Sequence, residues 1–487
     1  MRVKDLFKNS LIKKPLAQAS VCGISDDSRK VSRGDIFFII SRNNFDIFSV
    51  LGEVDKKVLA FVCSQEDKKK VEALSLKKPV IFTTKIRKEF FRVVDLFYPV
   101  SGKELKLIGI TGTNGKTTTA FLIYNLLKSL GKKVSLMSTI TYIIGNKNQT
   151  ASHTTPDFLS LRKIIHKAKK IGSSYVVMEV SSHAIDQERI RGLKFSHCVF
   201  TNLSRDHLDY HKTMLKYYKV KKKFFTANKN AFFIINSDDY YGKRLIINSP
   251  KAISYGTNQA AKIKATNIKL KQKSTAFDLK VGKMAFDLKL RLLGRHNVLN
   301  ALAALATVSS LGFAYKDLTR AICGLRPIEG RLQRVALDIF VDYAHTPDAL
   351  SKTLKSLKGI GYGRIISLFG CGGDRDCGKR KLMGEVSASL AEYTIITSDN
   401  PRSEDPLAIC RQISKGFAKK NYSIIIKRKQ AIAKAIDMLK KNEPRVNSTI
   451  AASCLLVAGK GHEDYQIIKD KKFPSKDSRL IRDILKK

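Results

Sequence analysis

The sequence predicts an α/β fold distributed over three domains. Three observations point to it. Short apolar runs with the look of β-strands recur along the chain and alternate with stretches of helical apolar spacing. One run leads directly into a glycine loop and then a helix, the order expected of a phosphate-binding sheet domain. At 487 residues the chain exceeds one compact core, and its 43% of hydrophobic residues are spread throughout.

In chain order, the first strand-like run is Ile36-Phe37-Phe38-Ile39-Ile40, and the first segment closes in the turn-rich stretch Pro99-Val100-Ser101-Gly102-Lys103. From Leu105 the order is strand (LKLIGI), loop (TGTNGK) and helix (TTTAFLIYNLLKSLG, ending at Gly131). Runs at Tyr175–Met178 and Ala231–Ile235, separated by helical patterns, suit a parallel sheet covered on both faces. This domain is expected to continue to Pro327. Beyond it, runs at Ile365–Phe369, Tyr393–Ile396 and Leu455–Ala458 each precede a polar loop bearing glycine or proline. Ligands of open α/β sheets gather at such strand ends, so the last domain is expected to carry a binding site. The expected bounds are 1–100, 101–327 and 328–487.

Composition narrows the function classes. The amino-terminal stretch lacks a signal-peptide core, because Lys13 and Lys14 interrupt it, and no uncharged apolar run reaches roughly 18 residues. A cytoplasmic protein without membrane insertion is expected. The eight cysteines are scattered; Cys371 and Cys377 stand near each other but fit no common zinc spacing, so reduced thiols are expected. The formal charge of +48 comes from basic residues in every segment rather than from one patch. That distribution argues for a solvated basic surface that attracts anionic substrates, not for a dedicated nucleic-acid site.

The chemistry is clearest at Ile110–Thr119 (ITGTNGKTTT). Between a strand and a helix, the amides of Gly112, Thr113, Asn114, Gly115 and Lys116 can wrap phosphates at a positive helix end. Lys116 would meet the outer phosphates and Thr117 a magnesium ion, with Thr118 next to it. The strict phosphate-loop pattern wants glycine where Ile110 stands, so the match is imperfect, yet an ordinary glycine turn would leave Lys116 unexplained. Nucleotide binding with Mg2+ is expected.

TGTNGKTT resembles the ATP loop of the Mur ligases and of their folylpolyglutamate synthase relatives. MEVSSHAIDQERIRG (178–192), TNLSRDHLDYH (201–211), GRHNVLNALAA (294–304) and VDYAHTPDAL (341–350) resemble further blocks of that family, in family order. DDSRKVSRGDIFF (26–38), HTTPD (153–157), FGCGGDRDCGKR (369–380), SDNPRSEDP (398–406) and AGKGHEDYQ (458–466) resemble its MurE branch, which adds the third residue of the cell-wall stem peptide. The resemblance spans nearly the whole chain. It implies a small UDP-binding domain, a central ATPase-like domain and a Rossmann-like carboxy-terminal domain.

The resemblance also implies roles for single residues. Glu179 would ligate magnesium with Thr117, and His207 would serve a second ion; a carboxylate and a neutral imidazole suit a hydrated Mg2+ between phosphates. Lys221, placed by its distance from Asp209-Tyr210-His211, matches a lysine carried as a carbamate (N6-carboxylysine) that also serves the metal. Only a neutral amine takes up carbon dioxide, so its pKa must fall from about 10.4. Neighbouring Lys219, Lys222 and Lys223 would help, although they equally fit a solvated helix face. Asn297 resembles an adenine contact, and Arg331 and Asp342 resemble ATP contacts from the third domain. Ser28, Thr154, Thr155, Ser181, Gln187 and Arg189 fall on positions that hold a UDP-N-acetylmuramoyl-dipeptide. Asn43-Asn44-Phe45-Asp46-Ile47 departs from the family pattern on the uridine side.

For the incoming amino acid, Arg375, Asp399, Asn400, Pro401, Arg402, Gly459 and Glu463 match family positions. The DNPR block goes with meso-diaminopimelate, whose distal carboxylate needs a cation that lysine does not. Read alone, Arg402 could instead pair with Glu404 or Asp405 in a surface loop. The resemblance therefore implies an ADP-forming amide ligase of peptidoglycan precursor synthesis, expected to be a monomer. A lysine-adding ligase and, in another class, a basic nucleotide-dependent RNA-binding protein are the alternatives; a folylpolyglutamate synthase would lack the GKGHE and DNPR blocks.

Overall fold

The computed structural model describes residues 1–7, 12–41, 45–100, 102, 104–249, 251–441 and 452–486. Asn43 and Asn44 of the departing stretch, and Ser101 and Lys103 of the turn-rich one, lie outside them. The chain forms two compact units: residues 1–104, 156–172 and 190–193, and residues 105–155, 173–189 and 194–487.

The first unit holds a four-stranded parallel sheet in sequential order, Gly23–Ser25, Asp35–Phe38, Ala60–Ser64 and Val80–Thr83. Alternate side chains leave opposite faces, which explains the unbroken apolar run that the sequence shows there. Ile36, Phe38 and Val62 pack with Phe90, Val93 and Val94 of the helix Ile86–Phe97. Phe37, Phe61 and Cys63 pack on the other side with Leu51 and Val54. The helix Phe158–Lys170 joins this unit through Phe158 and Leu159, and its buried Arg162 binds Asp95 at 2.6 Å.

The second unit contains two large sheets. The eleven-stranded one places Lys106–Thr111 between the parallel strands His197–Phe200 and Tyr175–Glu179. Both edges are antiparallel, where a parallel sheet alone is predicted. One edge is the hairpin Thr141–Ile144 and Lys147–Thr150, and the other is the run Ile263–Lys271, Ser274–Val281 and Met284–Leu290. The alternating pattern of Ile263–Leu290 reflects a ladder with one face on the core and one in water. The alanine-rich helix Arg295–Ser309 packs against the loop's helix, Lys116–Ser129, and Ala301, Leu302 and Leu305 share one buried core with Ala120, Ile123 and Leu127.

The second sheet of this unit has the order Gln333–Ala336, Ile339–Asp342, Ser453–Ala458, Arg364–Phe369, Tyr393–Ile396 and Tyr422–Ile424, parallel except for its first pair. Three predicted runs thus appear as neighbouring or next-neighbouring strands whose carboxyl ends share one edge. All eight cysteines are free thiols, Cys371 buried and Cys377 exposed. No helix among the described residues is long and apolar enough to cross a membrane.

Candidate active site

A cavity of about 480 Å³ opens in the second unit, within the size range of small-molecule sites. Its wall includes Thr113 to Thr118, Thr154, Glu179, His207, Asn297, Arg331 and Asp342, so residues predicted from six separate blocks meet there, with Arg331 besides.

The phosphate loop owes its shape to two glycines. Gly112 and Gly115 have positive φ, and a Cβ on either would collide, with Thr201 Oγ1 and Asn300 Oδ1 respectively. Asn202 and Thr201 clasp the loop: Thr113 N donates to Asn202 O at 2.8 Å, Asn114 N to Asn202 Oδ1 at 3.0 Å, and Thr201 Oγ1 to Asn114 O at 2.7 Å. The Lys116 amine donates to the carbonyls of Gly112 and Thr113 at 3.0 and 2.8 Å. Burial lowers its pKa from the ordinary value, against the opposing pull of Glu179 and Asp206.

Glu179 ends its strand fully buried and accepts from Thr139 N at 2.7 Å and Thr139 Oγ1 at 3.1 Å; Thr139 Oγ1 also lies 3.1 Å from Thr154 Oγ1, from which it can accept. His207 sits at φ 54° and is neutral, because burial pushes its pKa down to about 3 despite the adjacent Asp206. Asp206 is the anionic centre of this region. Burial opposes its charge, yet Lys379 at 3.5 Å and a hydrogen bond from His345 hold its carboxyl well below the usual range.

Lys221 lies on the helix Met214–Thr226 beneath the loop rather than in the cavity wall. It is 1% exposed, donates to Gly112 O at 2.9 Å, and stands 4.8 Å from the Tyr217 ring centre. Burial first, then the charge of Lys116, lowers its pKa well below the ordinary value. Lys219 is exposed and Lys222 only partly buried, so the solvated-face alternative applies to its neighbours and not to Lys221 itself.

From the other sheet, Arg331 donates to Thr117 Oγ1 at 2.9 Å and stacks its guanidinium 4.6 Å from the Tyr343 ring centre. Asp342 accepts from Leu332 N at 2.5 Å and Ala344 N at 2.9 Å, which shapes the turn carrying Arg331. Asn297 donates to Leu293 O at 2.7 Å and accepts from Asn300 at 2.9 Å, so its side chain is oriented by its own helix and by the residue that precedes the helix cap.

Thr155, Ser181, Gln187 and Arg189 form a linked group off the cavity wall. Thr155 Oγ1 donates to Glu179 O at 2.8 Å and accepts from Ser181 N at 3.1 Å; Arg189 donates to Thr155 O at 2.9 Å and to Gln187 Oε1 at 2.6 Å. Ser181 Oγ also caps the helix Ser182–Asp186. Ser28 belongs to the first unit, where it lines a separate cavity with Asp26, Phe45 and Ile47.

The predicted amino-acid residues converge at the shared edge of the second sheet. Asn400 donates to Glu463 Oε2 at 2.9 Å and accepts from Ile467 N at 2.9 Å; Asn400 N donates to Asp399 Oδ1 at 2.7 Å. Gly459, at φ 103°, brings its backbone so close to Asp399 that a Cβ would meet Oδ2. Pro401 precedes Arg402, which at φ 52° turns its guanidinium to the Gly373 carbonyl at 2.6 Å. The surface-loop alternative is not realised: Glu404 binds Arg380 at 2.7 Å and Asp405 caps the helix Pro406–Ser414. Burial lowers the Arg402 pKa, and Arg375 beside it lowers it further. Two guanidiniums and two carboxylates thus share a small volume, a pattern suited to a zwitterion.

Comparison with known proteins accords with this geometry. Residues 110–308 match the Mur ligase middle domain and residues 330–461 the Mur ligase glutamate ligase domain. A relative from Clostridium acetobutylicum, UDP-N-acetylmuramoyl-L-alanyl-D-glutamate–2,6-diaminopimelate ligase 1, is 38% identical over 94% of both chains. The chain belongs to the Mur ligase family. A similarly named ligase from Aquifex aeolicus is 37% identical over 96% of this chain and 94% of its own. Among solved structures, a UDP-N-acetylmuramoyl-L-alanyl-D-glutamate–2,6-diaminopimelate ligase aligns with TM-score 0.62 and 29% identity over 100% and 99% of the two chains.

Several residues of this Mur ligase were not singled out from sequence. Asp206 precedes the predicted His207 in SRDHLDYH, His345 lies in YAHTPD and Lys379 in GDRDCGKR. Each was quoted within a block, but nothing in one dimension shows that the three blocks meet. Thr139 had no signal, since an isolated threonine after a strand reads as a turn.

Proposed function

We propose that this Mur ligase joins meso-diaminopimelate to the D-glutamyl carboxylate of UDP-N-acetylmuramoyl-L-alanyl-D-glutamate, with ATP converted to ADP and phosphate. The observation that carries the reading is the pairing of one phosphate-loop cavity with the Asn400–Arg402–Glu463 cluster, supported by relatives named for this activity. Residues 1–100 would bind the UDP moiety, 101–327 ATP, and 328–487 the amino acid. The enzyme would act in the cytoplasm as a monomer.

A carboxylate oxygen of the D-glutamyl group attacks the γ-phosphorus of ATP, and the bond to the departing ADP oxygen breaks to give an acyl phosphate. Lys116 turns its three donors from the loop carbonyls to the phosphates, and the loop amides hold the remaining charge. Arg331, already on Thr117, adds a second cation at the same place. The unprotonated amine of diaminopimelate then attacks the acyl carbon. The tetrahedral adduct expels phosphate, and the nitrogen loses its proton, leaving the amide. Exclusion of water matters here because an acyl phosphate hydrolyses readily.

Thr117, Glu179, His207 and a carbamylated Lys221 would hold Mg2+, which when bound neutralises phosphate charge. Their chemistry fits: a buried carboxylate, a hydroxyl at the loop, an imidazole kept neutral, and an amine whose surroundings favour its uncharged form. Among the described residues no three His, Cys, Asp or Glu side chains form a cage of their own. Mg2+ characteristically uses one or two protein carboxylates with phosphates and water.

The test is phosphate release from ATP with the UDP-dipeptide and meso-diaminopimelate added separately and together. Release only when both are present supports the reading. Release driven by nucleic acid, with neither substrate needed, would refute it.

A further inference from the structure

The amino-acid cluster depends on two loops that leave strands two positions apart in the sheet. Ser398 and Asp399 follow the strand Tyr393–Ile396, and Gly459 follows Ser453–Ala458, with Arg364–Phe369 between them. Neither strand can fix the other loop directly. Asn400 on Glu463 Oε2 and Gln466 on Asp399 O join the loops at the site itself, and one further side chain spans the two carbonyls at their bases. Arg428, first residue of the helix Arg428–Lys441, donates Nη1 to Ser398 O at 3.4 Å and Nη2 to Ala458 O at 3.1 Å. These carbonyls belong to the residues immediately before Asp399 and Gly459.

The guanidinium is itself held. Asp477, first residue of the carboxy-terminal helix Asp477–Leu485, accepts from Nε and Nη2 at 2.7 Å each. Arg428 is 3% exposed and Asp477 fully buried. The pair is costly to bury, and buried pairs of this kind can often be replaced by apolar side chains with little loss of stability, so cohesion alone does not account for it. Asp399 and Glu463 also act on the Arg428 charge, which therefore offsets their negative charges from behind the cluster.

We propose that Arg428, fixed by Asp477, is a positioning residue for amino-acid selection: it sets the separation of the Asp399–Arg402 loop from the Gly459–Glu463 loop. The inference rests on the proposed amino-acid site. With a planar fork on two carbonyls, lengthening or loosening the clamp moves one set of contacts relative to the other, and displacement by about 1 Å can cost about 10²-fold.

The test measures KM separately for the amino acid, ATP and UDP-dipeptide in wild type, Arg428→Lys, Asp477→Asn and the double variant Arg428→Met with Asp477→Leu. The double variant keeps apolar volume and removes the buried charges, so thermal stability near wild type is expected together with loss of the clamp. In every variant that folds, KM for the amino acid should rise about 10- to 100-fold, with the other two KM values within about twofold. Unchanged amino-acid KM in a folded variant, or an equal rise in all three, would overturn the proposal. Wild-type preference is measured first. Should wild type prefer lysine, the diaminopimelate reading fails, while the clamp is still tested through the KM for lysine.

Discussion

Lys116 and Lys221 place their amines on one carbonyl oxygen, that of Gly112, at 3.0 and 2.9 Å. Two cations so close cannot both stay charged cheaply: burial, then the charge of Lys116, depresses the Lys221 pKa, while burial, then Arg331, depresses that of Lys116 against the pull of Glu179 and Asp206. The proposed carbamate is assigned to Lys221 because the proposed reaction needs Lys116 free and charged at the phosphates. Lys221→Ala is expected to retain its fold and lose most ligation, with partial recovery on adding short carboxylates. An active wild-type enzyme whose Lys221 peptide carries no carbon dioxide under native detection would contradict this.

Lys116→Ala should leave thermal unfolding near wild type and lower turnover by about 10³-fold or more, because phosphoryl transfer rests on fixed charge around the phosphates. Turnover within tenfold of wild type would remove Lys116 from the reaction.

The motif-bearing parts of the fold were readable because local chemistry dictates them. A loop that needs positive φ at Gly112 and Gly115, followed by an apolar helix, has few other structures to adopt. Strand runs such as Tyr393–Ile396 appear at the same residues in the fold. The antiparallel edge from Ile263 to Leu290 carried alternation but no motif, and the contacts of Asp206 with Lys379 and His345 depend on long-range packing that no spacing records. Asn297 lines the cavity, yet its hydrogen bonds run to Asn300 of its own helix and to Leu293 just before it.

His197 supplies a pH test away from the cavity. Its ring is 2% exposed, stacks on Phe232, and has a pKa pushed down to about 4 by burial, then by Lys106. Between its unfolded pKa near 6.5 and this value the unfolded chain binds the extra proton, so the contribution is full above 6.5 and lost as pH falls towards 4. Denaturant unfolding at pH 7.5 and 5.0 should show a loss that is smaller by about 2 kcal/mol in His197→Gln than in wild type. Equal losses would show that His197 does not titrate this way.

Arg402 has no carboxylate at ion-pair distance among the described residues; its guanidinium meets the Gly373 carbonyl and lies beside Arg375. Arg402→Ala should erase most of the preference for meso-diaminopimelate over lysine while leaving KM for ATP within about twofold. Sites built around a polar partner reject its absence by roughly 10⁴-fold, so the change should be large. A variant that discriminates as well as wild type would assign the distal carboxylate elsewhere.

The most direct measurement of the central claim is a competition. Wild-type enzyme with ATP, Mg2+ and UDP-N-acetylmuramoyl-L-alanyl-D-glutamate receives equal meso-diaminopimelate and L-lysine, and the nucleotide-linked product is resolved by mass. The expected result is the diaminopimelate tripeptide in excess of about 10³-fold, with one ADP formed per amide. Predominance of the lysine product, or ADP formation without either amide, would contradict the account.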